Sequence, residues 1–388
     1  MVPIRYNLRS LAVRKTNTAA TVLGVALVVF VLAASLMLSA GIKKTMTTSG
    51  REDVAIVLRK GSDNELGSVV DEPQVSLIKA MPGVRSENGK PLAVAEVIVV
   101  GALEKIGASG VTNVQFRGVP ENVLQFRPEV KLVAGRTAKP GADEAIIGQR
   151  LRGRFKGLEL GQTFEIRKNR PVTVVGVFED GGSSYESEVW VDFDVLRTSF
   201  RREGIVSSVR VRLASPAQFE LFQASVEQDK RVGLQALREQ KFYEKQSEGT
   251  STFIGIVGTA IAIVFSVGAM IGAMITMYAA VANRQKEIGV LRALGFSRRS
   301  VLTSFLLESL LLALIGGALG TLASLGMGFV KFSMMNFSSW SEMVFSFDPT
   351  LEVIGTALAF AGIMGLIGGF LPAVRAARIS AVTAMRGG

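Results

Sequence analysis

The sequence predicts an α-helical membrane protein: four transmembrane helices, with a large α+β extracytoplasmic domain inserted between helices 1 and 2. Three observations lead there. Four stretches, 16–42, 249–283, 301–330 and 353–374, hold one charged side chain between them. Each exceeds the roughly 20 apolar residues needed to cross a bilayer core of about 30 Å. Basic residues collect at the ends of these stretches: residues 42–250 carry 31 Lys/Arg against 28 Asp/Glu, the rest of the chain 13 against 5. Most of the net charge of +11 therefore sits where positive-inside topology wants it, which argues against a nucleic-acid partner. Between the first and second stretch lie about 200 residues of short β-type runs broken by Gly and Pro, enough for one or two cores.

The 388 residues include no cysteine and no histidine. Disulfides, thiolate metal sites, imidazole bases and His-containing triads are excluded, so no catalytic residue and no metal ligand is assigned. A stand-alone membrane enzyme would have only carboxylates, Lys, Ser and Tyr to work with.

In residues 1–15, Ile4, Leu8 and Leu11 share one helical face while Arg5, Arg9 and Arg14 lie off it, the pattern of an interfacial cytoplasmic helix. Residues 16–42 then form the first span. Leu38-Ser39-Ala40 resembles a signal-peptidase site, but 27 uncharged residues are far longer than the 7–15 of a signal h-region. Residues 43–250 form the extracytoplasmic domain and its stalk. Strand-like runs occur at 54–58, 92–100, 114–119, 163–166, 172–178, 189–191 and 206–213, and helical patterns at 74–80, 144–154 and 216–228. Two subdomains are expected, with a crossing near Arg127 to Asp143.

Three spots in this domain invite a site reading. Glu179-Asp180-Gly181-Gly182 reads as a turn rather than a cation site. Arg150, Arg152, Arg154 and Lys156 read as a solvated helix face. Gly89-Lys90 has no Gly five residues earlier and is followed by Pro91, so it is not a P-loop.

From Leu234 the pattern turns helical and polar and runs into the second span, 251–282. At 1.5 Å per residue the 35 uncharged residues alone would reach about 50 Å, so stalk and span read as one stiff lever. Residues 283–300 are a short basic segment between two spans. Ile288, Leu291 and Leu294 recur at helical spacing, Lys286, Glu287 and Arg292 point elsewhere, and Gly295 supplies a stop. The third span is 301–330, the outer loop 331–349, and the fourth span 350–374, opened by Asp348 as N-cap and Pro349 at the first helical position. The tail 375–388 carries Arg375, Arg378 and Arg386, which places both termini in the cytoplasm.

Within the spans, Gly268/Gly272, Gly316/Gly320 and Gly365/Gly369 are three GxxxG pairs, suited to helix packing within one subunit or to a dimer contact. Glu308 is the single intramembrane charge, a functional candidate by default. Its nearness to the basic end favours a structural ion pair, with Arg292, Arg299 or Arg375 as partner. No polar stripe describes a hydrophilic channel.

The run Arg284-Gln285-Lys286-Glu287-Ile288-Gly289-Val290-Leu291-Arg292-Ala293-Leu294-Gly295, continued by Phe305-Leu306-Leu307-Glu308-Ser309-Leu310, resembles the cytoplasmic hairpin of the MacB/FtsX-like permeases of mechanotransmitting (type VII, LolC/LolE-related) ABC transporters. Pro372 to Arg386 resembles the C-terminal signature of that family. Asp143 to Gly148 with Val174 to Phe178 is similar to its MacB-like periplasmic domain. The resemblance implies that Arg284, Lys286, Glu287, Ile288, Gly289, Leu291, Arg292, Ala293, Leu294 and Gly295 couple to an ATPase. With no ATPase sequence and no second set of four spans in these 388 residues, it implies two copies of a separate cytoplasmic ABC ATPase, which would hold the ATP and Mg; this chain holds no cofactor. It also implies a second permease copy, identical or related, and admits a periplasmic adaptor. The setting would be the bacterial inner membrane, and the work export or release of a drug, peptide, lipoprotein or lipid. The alternative is an FtsX-like regulator that activates a cell-wall hydrolase and transports nothing.

Overall fold

The computed structural model describes residues 15–107, 109–229 and 233–380. The interfacial helix expected before Lys15 and the tail arginine Arg386 lie outside them. The described chain divides into two compact units: an outer domain, Ile42–Thr250 with Lys331–Ser346, and a membrane unit built from the chain up to Gly41, Ser251–Val330 and the chain from Phe347.

In chain order the elements are α1 (Lys15–Ser49), β1 (Val54–Arg59), β2 (Val70–Asp71), α2 (Glu72–Lys79), β3 (Ser86–Glu87), β4 (Lys90–Pro91), β5 (Ala93–Glu104), β6 (Val111–Val119), α3 (Val123–Phe126), β7 (Lys131–Gly135) and β8 (Glu144–Gly148). Then come β9 (Thr163–Arg167), β10 (Arg170–Glu179), β11 (Glu188–Asp192), α4 (Phe193–Ser199), β12 (Ile205–Val206), β13 (Ser208–Arg212), α5 (Phe219–Gln228) and β14 (Leu234–Arg238). The last are α6 (Glu239–Asn283), α7 (Gln285–Ala293), α8 (Arg298–Leu325), β15 (Lys331–Asn336), β16 (Ser341–Ser346) and α9 (Leu351–Arg378).

Val- and Ile-rich runs give the outer domain one ten-stranded sheet, in the order β14-β1-β13-β5-β6-β11-β8-β10-β7, with β9 on β10. One hydrophobic core follows it from Val57 and Val211 through Phe116 to Ile147 and Val174, so the two expected subdomains are one connected body. Most neighbours are antiparallel; β6–β11 and β8–β10 are parallel.

Three local expectations are corrected. Residues 144–154 are no helix: Glu144-Ala145-Ile146-Ile147-Gly148 is a strand between β11 and β10, followed by a single 3₁₀ turn, Gln149–Leu151. A short apolar run fits either state, and pairing on both sides decides for strand. Leu234–Arg238 is likewise a strand, drawn onto β1 with Ile56 opposite Leu237. The outer loop is a hairpin, β15–β16, with Met334 opposite Met343.

Four helices of the described residues are long and apolar enough to cross a membrane: Thr18–Ser49, Glu239–Asn283, Arg298–Phe329 and Leu351–Arg378. α8 starts at a Ser297 cap that accepts from the Ser300 amide, and α9 at Thr350, whose hydroxyl accepts from Val353 N. Thr350 is thus the cap in place of Asp348, whose backbone amide instead donates to the Met37 carbonyl at 3.0 Å. α9 continues through Pro372 to Arg378.

Within the membrane unit, small residues set the helix contacts. A Cβ on Gly316 or Gly320 would run into the α1 backbone at Val22 and Ala26, and one on Gly365 would lie 2.5 Å from Ala313 Cβ of α8. The Ser309 hydroxyl donates to the Gly365 carbonyl at 2.9 Å. Thr21 and Thr276 pair at 2.9 Å, and Ser39 donates to the Ser251 carbonyl at 2.8 Å, joining α1 to α6. By contrast, Gly268 and Gly272 have nothing within 4 Å. The three glycine pairs therefore divide: two pack within the chain and one faces outward.

Candidate functional site: the elbow after the second long helix

α6 ends at Asn283, and Arg284 breaks the helical path before α7 begins. Arg284 is 4% exposed. Its Nη1 donates to Glu308 Oε2 of α8 at 3.0 Å, its Nε to Glu287 Oε2 at 3.2 Å, and its guanidinium lies 5.2 Å from the Phe305 ring centre. Glu308 is thus paired with the residue that makes the break, not with Arg292, Arg299 or Arg375. Arg292 is turned toward its own helix end and donates to the Phe296 carbonyl at 2.8 Å, while Arg375 lies 5.5 Å over the Tyr278 ring. Sequence spacing measured distance along α8 correctly but could not show that the chain folds back at Arg284.

Under the elbow, Met277, Val281, Ile288, Val301, Phe305, Ala373 and Ala376 form one apolar cluster drawn from α6, α7, α8 and α9. Ile288 and Gly289 are the buried face of α7. Leu291 is half-buried. Leu294, expected on the same face, is 72% exposed: it is the C-cap, and one residue later Gly295 turns the chain at φ +92°. Only glycine adopts that angle freely, and the Phe296 amide closes the turn on the Leu291 carbonyl at 3.2 Å. The outward face consists of Lys286, Glu287, Val290, Ala293 and Leu294. Val290, 51% exposed, escaped the sequence reading because an isolated valine beside a basic run carries no periodic signal.

A small cavity of about 40 Å³, lined among others by Thr21, Thr276, Glu308 and Ser309, lies within the membrane unit. Ordinary ligand pockets run to about 300–1,000 Å³.

The sequence matches the MacB-like periplasmic core domain over residues 18–229 and the FtsX-like permease C-terminal domain over residues 252–381. The chain belongs to the MacB/FtsX-like ABC transporter permease family. Among similar proteins, the ABC transporter permease YknZ of Bacillus subtilis is 27% identical over 71% of this chain and 70% of its own length. A probable export ATP-binding/permease protein of Pseudomonas fluorescens is 27% identical over 70% of this chain and 43% of its own. The macrolide export ATP-binding/permease protein MacB of Salmonella paratyphi A is 29% identical over 56% and 34%. The chain thus spans less than half the length of the ATP-binding/permease relatives it matches. The extracellular domain of YknZ aligns with 47% of this chain and 99% of its own at 20% identity and a TM-score of 0.36. The periplasmic region of MacB from Actinobacillus actinomycetemcomitans aligns with 53% and 96% at 13% and 0.39.

As a MacB/FtsX-like permease, the chain is a membrane protein with four apolar helices and a large α/β domain after the first. That domain holds a second charged cluster that no motif announces. Arg117 of β6 and Arg210 of β13 are fully buried; Glu65 and Glu96 pair with both, and Glu188 pairs with Arg117. Burial alone would raise Glu65, but Arg117 and Arg210 outweigh it and hold the carboxyl below its ordinary range. Burial prevails at Glu188 and pushes it up despite the Arg117 contact at 2.6 Å. Arg127 and Arg210 also meet on Glu239, the first residue of α6, at 2.6 and 2.8 Å. Charges this deep stay ionised only when partnered, and alternating strand residues such as Arg210 read as surface in a sequence.

Of the run expected to be a solvated helix face, Arg152 and Lys156 are exposed, while Arg150 and Arg154 seat the hairpin. Arg154 and Lys105 both pair with Glu342 of β16, and the Arg150 guanidinium donates to the Val344 carbonyl. Gly181 and Gly182 form a turn at positive φ after β10.

Proposed function

We propose that this chain is a permease subunit that converts ATP hydrolysis on a separate cytoplasmic ATPase into movement of its outer domain, driving export or release of a substrate. The observation that carries this is α6: one helix of 45 residues, Glu239 to Asn283. At 1.5 Å per residue it is nearly 70 Å long, over twice a bilayer core of about 30 Å. One end is held by Arg127 and Arg210, the other by the elbow at Arg284. A rod fixed at both ends transmits displacement without needing a channel, and the small apolar cavity offers none.

In this reading two ATPase copies bind ATP and Mg and dock on Lys286, Glu287, Val290, Ala293 and Leu294. The clusters Arg284 to Arg299 and Arg375 to Arg378 hold the elbow and the end of α9 on the cytoplasmic side. A second permease copy covers α6, of whose most apolar stretch only 17% is buried, against 33–50% in the other three helices. The MacB-like type of the outer domain favours transport over hydrolase regulation, and drugs, peptides, lipoproteins and lipids remain the substrate classes. The test is reconstitution in lipid nanodiscs with candidate ATPases from neighbouring reading frames. ATP turnover should depend on the permease and fall to the uncoupled rate in Val290→Asp/Leu294→Asp. Unchanged turnover in that variant would remove the docking face.

A further inference from the structure

Three parts of the outer domain continue in sequence into membrane helices: the last turns of α1, the first turns of α6, and the hairpin β15–β16 between α8 and α9. All three bind one short buried segment, the 3₁₀ turn Ser184-Tyr185-Glu186-Ser187 that precedes β11.

Ser184 holds α1: its hydroxyl lies 2.8 Å from the Ser49 hydroxyl, and its amide donates to the same oxygen at 2.8 Å. Tyr185 holds α6: its hydroxyl donates to Glu239 Oε1 at 3.2 Å and accepts from the Tyr243 hydroxyl at 2.7 Å and from Arg127 Nη2 at 2.6 Å. Ser187 holds the hairpin, accepting from Val344 N at 3.2 Å. Glu186 supports the same contact at one remove, since Arg150 pairs with it at 3.0 Å and donates to the Val344 carbonyl.

The seat is tight. A Cβ on Gly148, at the end of β8, would collide with the Glu186 backbone. The backbones at Gly50 and Gln240 approach so closely that a Cβ on Gly50 would lie 2.5 Å from Gln240 Cα. α1 and α6 therefore meet where both meet the turn.

Four consecutive buried polar side chains are a costly way to fill a core unless each is partnered. Here each is partnered, and three of the partner elements lead toward the membrane unit. Such networks add little net stability but fix geometry, because partners must arrive together and in one arrangement. The turn leads directly into β11, an inner strand of the sheet.

We propose that the Ser184–Ser187 turn is the joint at which movement of the membrane helices enters the outer domain, with Ser49, Tyr185 and Ser187 as its positioning residues. The proposal rests on the mechanotransmission reading above.

The test uses the full chain with its partner ATPase in nanodiscs. The sequence has no native cysteine, so single cysteines at Lys168 in the outer domain and at Arg299 by the elbow, both exposed, take spin labels cleanly. Distances between the two copies are measured by pulsed EPR, without nucleotide and with ADP and vanadate trapped after ATP hydrolysis. The wild type should shift at both positions. Ser49→Ala/Tyr185→Phe/Ser187→Ala, which removes three oxygens, should keep the Arg299 shift and lose at least half of the Lys168 shift. If the triple variant does not assemble, Ser187→Ala alone should still reduce the Lys168 shift measurably. An undiminished Lys168 shift, or joint loss of both shifts, overturns the joint. A wild-type Lys168 that stays still while Arg299 moves removes the mechanotransmission reading itself.

Discussion

Arg284 and Glu308, 24 positions apart in sequence, form a buried 3.0 Å ion pair that ties the break after α6 to the third membrane helix. Their side chains are 5% and 6% exposed. The pair fixes the direction in which α7 leaves α6, and with it the orientation of the face proposed to meet the ATPase.

Removing one member takes a buried charge partner from the other, and breaking a buried pair typically costs about 3–5 kcal/mol, whereas replacing both by apolar groups costs far less. Arg284→Met and Glu308→Leu should each lower the melting temperature in detergent. The double variant should recover most of the loss. Additive losses in this double-mutant cycle would show that the two side chains act independently.

The elbow helix has one buried face and one exposed face. Ile288 is 1% exposed, Val290 51% and Leu294 72%. A buried aspartate at position 288 should unfold the elbow, at a cost of several kcal/mol. Val290→Asp and Leu294→Asp should leave the stability within about 0.5 kcal/mol of wild type and weaken ATPase binding by about tenfold or more, the loss of one apolar contact. Co-purification and titration with the labelled ATPase measure this, and full affinity in both variants would move the docking face elsewhere.

The glycine pairs should respond in opposite ways. Gly365 and Gly369 lie against Ala313 and Ser309 of the same chain, so Gly365→Leu or Gly369→Leu forces α8 and α9 apart and should cost about 1–3 kcal/mol or more. Gly268 and Gly272 have open space around them. Gly268→Leu/Gly272→Leu should leave the monomer stable and shift size-exclusion profiles from dimer toward monomer. A stable dimer carrying both leucines would place the second copy on another face.

The membrane half was legible because its signals are compositional: long uncharged runs, arginine at their ends, and a glycine stop at Gly295. The elbow's partners were not, since Arg284 and Glu308 meet only when α7 folds back. In the outer domain, Val- and Ile-rich runs such as Val54 to Leu58 declared themselves as strands. Ile146-Ile147 and Leu234 to Arg238 did not, because strand pairing with distant neighbours overrides their local pattern. The Ser184–Ser187 turn was invisible for the same reason. Serine, tyrosine and glutamate in a row read as a surface loop, and only the partners supplied by α1, α6 and β16 bury them.

Asp180 gives a pH-dependent test of the outer domain. Burial pushes its carboxyl up to about 6 from an ordinary 3.8, against the pull of the Ser183 hydroxyl, which donates at 2.6 Å. Between those pH values the folded protein holds a proton that the unfolded chain has lost. Stability from this group is therefore complete below the unfolded value and declines as pH rises through the window. Above pH 6 the ionised group costs up to about 3 kcal/mol, since each pH unit between the unfolded and folded values is worth about 1.4 kcal/mol. Asparagine keeps an oxygen for Ser183 and carries no charge. Asp180→Asn should therefore raise the unfolding free energy by about 1–3 kcal/mol at pH 7.5, with most of that gain gone at pH 4. Chemical unfolding of the full chain, followed by tryptophan fluorescence from the buried Trp190, reads both conditions, and an equal gain at the two pH values would show that burial of the charge is not what Asp180 costs the fold.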